Sequence, residues 1–239
     1  EIVAVTLFIL LGFTGFTIIR NSEKRNIWVG MARETAHQLG TPISALMGWI
    51  ERLKTKPEDG DKILNDMDLD LNRLQQVNDR FSKMGSETKL EEINLSEIVE
   101  KVVSYLDRRL PSMGKTIELS NEINSEIYIN ANGVLISWAI ENVIKNGIDA
   151  VDNDGKICVR MRKTFKNVVI QIVDSGKGIS RKDWRNIFRP GFSSKVQGWG
   201  LGLSLTSRII KEIHGGSIRV AKSNIGNGTT IEITLPQLN

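Results

Sequence analysis

Three short segments in the second half of the chain combine residue types that suit an anionic, nitrogen-rich ligand. Asp174-Ser175-Gly176-Lys177-Gly178-Ile179 follows directly on a strand-like run. A carboxylate at a strand end can accept a hydrogen bond from the exocyclic amine of a purine, and the two glycines allow a tight turn with backbone close to a ligand. Read alone, Asp-x-Gly-x-Gly also fits an ordinary turn. Gly198-Trp199-Gly200-Leu201-Gly202-Leu203 opens a helical stretch, where unpaired N–H groups and the helix dipole favour phosphate oxygens. It is neither the dinucleotide fingerprint nor a phosphate-binding P-loop, since the flanking residues of both are missing. Glu141, Asn142, Lys145, Asn146 and Asp149 share one helical segment. Asn142 and Asn146 are four apart and share a face, with Lys145 beside them. Amide oxygens suit Mg²⁺, which also takes phosphate oxygens, and Lys145 can meet a phosphate as a point charge. The same residues alone would make an exposed polar helix face. Taken in chain order, the three segments cover metal, base and phosphates.

The chain has two histidines. His214 precedes Gly215-Gly216 at a helix end, where capping suits it and no chemistry is assigned. His37 lies on a helix whose apolar seam is Leu39, Ile43, Leu46, Ile50 and Leu53. At 100° per residue it points about 200° from Leu39, 240° from Ile43 and 180° from Leu46, with Thr41 about 40° away on its own side. It is therefore expected at the surface. A surface histidine is usually idle, but a neutral imidazole there is accessible as a nucleophile.

The elements that must position these groups follow from periodicity. Residues 22–54 read as a long helix with a 4-3-4-3 apolar seam of coiled-coil type, kinked at Pro42. Pro57 and Gly60 punctuate it, and a second helix over about 59–84 carries Ile63, Met67, Leu71, Leu74, Phe81 and Met84. The two form an antiparallel hairpin. It buries its seam either by pairing with a second copy as a four-helix bundle or by docking on the rest of the chain. Beyond Gly85, helices at 96–109, 132–151 and 201–214 mix with strands without a regular βαβ repeat. That predicts a two-layer α/β sandwich on a mostly antiparallel or mixed sheet.

Composition bounds the partners. The net charge of +4 comes from 32 basic and 28 acidic residues interspersed along the chain, so no nucleic-acid surface is expected. The one cysteine, Cys158, excludes a disulfide framework and reads as a small core residue. Residues 2–19 carry no charge, and Arg20, Lys24 and Arg25 follow. Eighteen helical residues span about 27 Å, near a bilayer's hydrocarbon thickness. A transmembrane helix over 1–20 is therefore expected, with the following chain in the cytoplasm. A signal peptide would carry its charge before the apolar run, and a buried helix would need a large domain around it. The start at Glu1, without an initiator methionine, suggests missing upstream sequence. The expected organisation is multidomain: the membrane helix at 1–20, the hairpin at 21–86 and the sandwich at 87–239.

The motifs resemble those of bacterial sensor histidine kinases. IENVIKNGIDA is similar to the N box of the ATP-binding domain shared by histidine kinases, DNA gyrase, Hsp90 and MutL, the GHKL type. DSGKGI resembles its G1 box, GWGLGL its G2 box and IFRPGFSSK the F box between them, while KEIHGGSIRV looks like the usual last helix and strand. ARETAHQLGTPISAL resembles the H box of the dimerisation domain. The resemblance spans about residues 27–236. It implies ATP and Mg²⁺, with Asn142 and Asn146 at the two asparagine positions, Asn146 as the metal ligand and Asp174 on adenine. Residues 176–200 would be the ATP lid, carrying Phe188, Phe192 and Lys195. Lys145, Asp149, Gly176, Gly178, Gly198, Gly200, Leu201 and Gly202 would complete the site. His37 would accept the γ-phosphoryl group and pass it to an aspartate on a separate response regulator. Thr41 matches the position tied to dephosphorylating that regulator, and Pro42 matches the helix bend. The implied partners are a second copy of the chain through the hairpin, the regulator's receiver domain and the bacterial inner membrane.

Two positions depart from the family pattern. Gly147 stands where alanine is usual, which can loosen its helix by up to about 1 kcal/mol. Gln38 replaces the acid commonly found after the histidine; it cannot take a proton at neutral pH, but its oxygen can accept a hydrogen bond from the ring. Gln38 is thus expected to orient the imidazole. It also keeps open a protein that is chiefly a regulator phosphatase, or a membrane-anchored, ATP-gated interaction module without chemistry.

Overall fold

The structure, a computed structural model, describes residues 2–85, 88–123, 125–193 and 200–238; some side chains of the first helix, that of His37 among them, lie outside the description. The sequence opens with helix α1 (Ile2–Thr55), which runs through Pro42 without interruption. It stops where Lys56 precedes Pro57, because the residue before a proline is pushed out of the helical region. The turn Pro57–Asp59 is strapped by Arg52 on Asp59 at 3.3 Å. Helix α2 (Gly60–Gly85) then returns antiparallel along α1. Trp49 Nε1 donates to Asp70 at 3.0 Å across the pair.

The expected transmembrane helix over residues 1–20 is corrected. Among the described residues, no helix is long and apolar enough to cross a membrane. The segment is the N-terminal part of α1 rather than a separate element. Its described apolar side chains, Val5, Phe8, Leu10, Leu11 and Phe13, are interspersed with Thr6, Gly12, Thr14, Gly15 and Thr17. Counted over these described side chains alone, they fall short of the roughly 20 continuous apolar residues that a bilayer core requires.

After β1 (Glu91–Asn94) comes α3 (Leu95–Asp107), capped by Asn94, whose side chain accepts from the Glu97 N–H at 3.2 Å. Then follow β2 (Thr116–Ile123), β3 (Tyr128–Ala131), α4 (Gly133–Ala150), β4 (Asp154–Lys163) and β5 (Asn167–Asp174). Helix α5 (Gly202–Arg208) continues as a π-turn over Ile209–Ile213, and β6 (Ser217–Ser223) and β7 (Thr229–Pro236) end the fold. The main sheet has the order β2-β4-β5-β7-β6, with only β2–β4 parallel; β1 and β3 form a separate pair. This is the mixed, two-layer sandwich that the patterning predicts.

Alternation along each strand builds the core. Ile157, Val159 and Met161 on β4, Ile170 and Ile172 on β5, and Ile231, Ile233 and Leu235 on β7 are buried. They pack with Leu135, Ile136, Ala139, Ile140 and Ile144 of α4. Successive strand residues point to opposite faces, so Cys158 belongs to the outer face with Arg160 and Glu122, not to the core. Its thiol lies 3.3 Å from Glu122 and is only half-buried.

Candidate active site

The cleft between α4, the C-terminal end of β5, the start of β7 and the segment before α5 has a volume of about 560 Å³. Alternation on β5 puts Ile172 and Asp174 on the same inward face, and Asp174 is buried at the strand's end. Its Oδ1 accepts from the Gly176 N–H at 2.9 Å, and the Thr229 N–H also bonds the carboxylate. Burial pushes the Asp174 carboxyl above its ordinary value, against those two backbone donors. A buried acceptor with apolar walls of Ile172, Ile179, Ile187 and Ile231 suits a flat, amine-bearing ring.

The turn after Asp174 depends on glycine. Gly178 has φ +73°, and a Cβ there would lie 2.0 Å from the Asn224 carbonyl oxygen. The loop is tied down by Lys177 N–H to Ala150 O at 2.9 Å and Gly226 N–H to Lys177 O at 2.8 Å. Gly200 has φ +65° and accepts from the Gly191 N–H, while its own Cβ position would fall 2.5 Å from Phe192 O. Both positions are in the region where only glycine is unstrained.

Helix α4, capped by Asn132 on the Leu135 N–H at 3.1 Å, presents Asn142, Lys145, Asn146 and Asp149 to the cleft. Asn146 Nδ2 donates to the Asn142 carbonyl at 2.6 Å, which leaves the amide's carbonyl end as the one suited to a cation. Gly202 starts α5 against this pair: a Cβ there would be 3.7 Å from Asn146 Nδ2. Gly147 meets the back of Asp174, since a Cβ would come within 3.3 Å of Asp174 Cβ and 3.4 Å of Ile157 Cδ1. The glycine found in place of alanine thus lets α4 lie close on β4 and β5.

Lys145 is engaged within the helix. Its ammonium lies 2.5 Å from Glu141 Oε1, and Arg80 of α2 pairs with the other oxygen. Burial alone would raise the Glu141 carboxyl, but Lys145 and Arg80 overcome it and hold it below the ordinary carboxylate range. Among the described residues no cluster of three or more His, Cys, Asp or Glu side chains gathers as a metal cage. A hard divalent ion that keeps its waters and phosphate ligands needs none.

The structure thus gathers Asn142, Lys145, Asn146, Asp149, Asp174, Gly178, Gly200, Leu201 and Gly202 around one cavity, with Gly176 bonded to Asp174 in its wall. Phe192 also lines it, and Phe188 packs against the core nearby. Lys195 and Gly198 lie outside the described residues. Thr41 is on the exposed side of α1. Sequence reasoning missed Trp138, Thr229, Ile231 and Lys177; of these, Ile231 and Thr229 are legible only once β7 is known to pair with β5. It also missed that Thr35 and Gln38 of α1 line the same cleft. His214 sits apart from it, buried, with Nδ1 on the Ile209 carbonyl at 2.8 Å and Nε2 accepting from the Asn132 N–H at 3.0 Å. It joins the end of the last helix to the start of α4.

Residues 131–239 match the family of histidine kinase-, DNA gyrase B- and HSP90-like ATPases. Over 219 residues the chain is 30% identical to sporulation kinase D of Bacillus subtilis (strain 168), covering 90% of this chain and 43% of that protein. It is 27% identical to sporulation kinase C of the same organism, over 92% of this chain and 51% of that one. The chain thus spans about half, or less, of these relatives. The solved catalytic domain of histidine kinase ThkA is 28% identical with a TM-score of 0.56, over 63% of this chain and 97% of that domain. A ThkA structure in complex with the response regulator protein TrrA is 24% identical with a TM-score of 0.55, over 91% of this chain and 64% of that one. Residues 131–239 therefore form an ATPase domain of the histidine kinase-, DNA gyrase B- and HSP90-like family, homologous to the catalytic domains of bacterial sensor histidine kinases.

Proposed function

We propose that this chain is the core of a sensor histidine kinase that moves the γ-phosphoryl group of ATP to His37. The observation that carries the reading is the lining of the cleft: Thr35 and Gln38, which flank His37 on α1, border the cavity that holds Asp174 and Asn146. In this reading Asp174 accepts the adenine amine, and the apolar walls take the ring. Asn146, through its amide oxygen, and Asn142 would hold Mg²⁺, which would neutralise phosphate charge there. Lys145 exchanges Glu141 for a phosphate. The unprotonated ring nitrogen of His37 forms the N–P bond as the bond between the γ-phosphorus and the bridging oxygen breaks. ADP departs with that electron pair, and the proton on the other ring nitrogen passes to water. Gln38 accepts a hydrogen bond from that ring N–H and fixes the ring's direction.

The acceptor beyond His37 is proposed to be an aspartate of a separate response regulator, by likeness to the ThkA complex. Thr41 is proposed to serve the reverse reaction, dephosphorylation of that regulator. The hairpin is proposed to form a four-helix bundle with a second copy, because one chain leaves much of its seam uncovered. Ile43, Met47 and Ile50 on α1, and Leu64 and Leu71 on α2, remain about half exposed or more.

Incubation with Mg²⁺ and ATP labelled at the γ-phosphate tests the core of this reading. Wild type should acquire acid-labile label and H37A should not. Label retained in H37A, or none in wild type, would contradict it.

A further inference from the structure

Glu141 is a buried carboxylate that the sandwich itself only half satisfies. Its side chain is 6% exposed, Lys145 takes Oε1, and Oε2 is taken by Arg80, which comes from the helical hairpin and is itself 18% exposed. The Arg80 guanidinium also lies over the Trp138 ring, 5.6 Å from its centre, and Trp138 lines the nucleotide cleft. Arg80 therefore grips α4 at two points within about one turn of helix of Asn142. Its own helix is held to α1 by the Trp49–Asp70 hydrogen bond and the strapped turn at Pro57–Asp59. A continuous set of contacts within one chain thus links the Thr35–Gln38 stretch of α1, through α2, to the helix that carries the asparagines.

We infer that phosphoryl transfer runs within one chain, and that Arg80 is the positioning residue that seats the nucleotide domain on its own hairpin. This rests on the kinase reading above. A histidine from a second copy would have to reach a cleft already bordered by this chain's own Thr35 and Gln38, while the Arg80–Glu141 pair stays closed. Breaking that pair would leave a buried carboxylate short of one cation, so it opens reluctantly. An arginine suits the post because its planar fork can pair with a carboxylate while its face stacks on an indole.

Two differently tagged chains, co-expressed and purified through both tags or simply mixed, separate the outcomes. With H37A in one chain and D174N in the other, neither chain should be labelled by γ-labelled ATP held at a limiting concentration at which the D174N homodimer takes no label. With wild type beside the H37A/D174N double variant, the wild-type chain should be. Label on the D174N chain of the first pair would overturn the inference, whereas an unlabelled wild-type homodimer would overturn the kinase reading itself. For Arg80, R80A should lower the labelling rate at saturating ATP by about tenfold or more while moving the ATP dissociation constant by less than about threefold, and R80K should recover most of the rate. A lower melting temperature with an unchanged saturated rate would reduce Arg80 to a structural contact.

Discussion

At Asp174, the burial that shapes the adenine site is also a cost to the empty protein. Its carboxyl ionises above the ordinary value of 3.8. The folded chain therefore keeps a proton that the unfolded chain has already released, and stability falls as pH rises from about 3.8 until Asp174 itself ionises. Melting of the nucleotide-free protein against pH should show that slope, and D174N should flatten it while weakening ATP binding by about 10- to 100-fold. His214 runs the other way. Burial lowers its pKa below the ordinary 6.5, although the bond to Ile209 favours the charged ring. Stability is complete above about 6.5 and declines as pH falls through it, because only the unfolded chain gains a proton there. H214Q should lose about 1–2 kcal/mol at pH 7.5 and show a weaker pH dependence between 7 and 5 in the same melts. Gln38 makes a third case. If it only orients the ring, Q38E should change the labelling rate by less than about tenfold. The roles expected of Asp174 and Asn146 were legible from type and spacing; the second task of Glu141 was not, since its partner Arg80 is 61 residues away in sequence.

Among the elements, the strands and sandwich helices were readable because alternation and 3.6-residue periodicity report burial directly, as Ile157 and Val159 against Cys158 illustrate. Periodicity places Cys158 outward, and only its apolar character suggested the core. The start of α1 reads as an uncharged run of its own, whereas in the fold it is the N-terminal part of the long helix α1. What pattern cannot supply is which distant backbone a loop touches. Gly178 reads in the motif as a turn glycine, but the motif does not show that a Cβ there would strike Asn224 O. G178A should destabilise the protein by about 2–4 kcal/mol, combining left-handed strain with overpacking. Denaturant unfolding would check this, and a loss under about 0.5 kcal/mol would contradict the loop geometry.

The whole molecule joins a hairpin with an exposed apolar side to a nucleotide domain seated against it. The 4-3-4-3 seam foretold the hairpin, but not that Ile43 and Ile50 stay near half exposed in one chain, at 46% and 45%. I50D should shift the protein toward monomer in sedimentation equilibrium, with little change in the melting of the sandwich; an unchanged dimer would place the interface elsewhere. The central claim is narrower, that the cleft phosphorylates the histidine whose neighbours line it. Fragmentation mass spectrometry of the chain after brief exposure to Mg²⁺ and ATP addresses it most directly. The phosphoryl group should map to His37 and vanish in D174N at limiting ATP. A phosphoryl group on another residue, or none on a chain shown to bind ATP, would contradict the account.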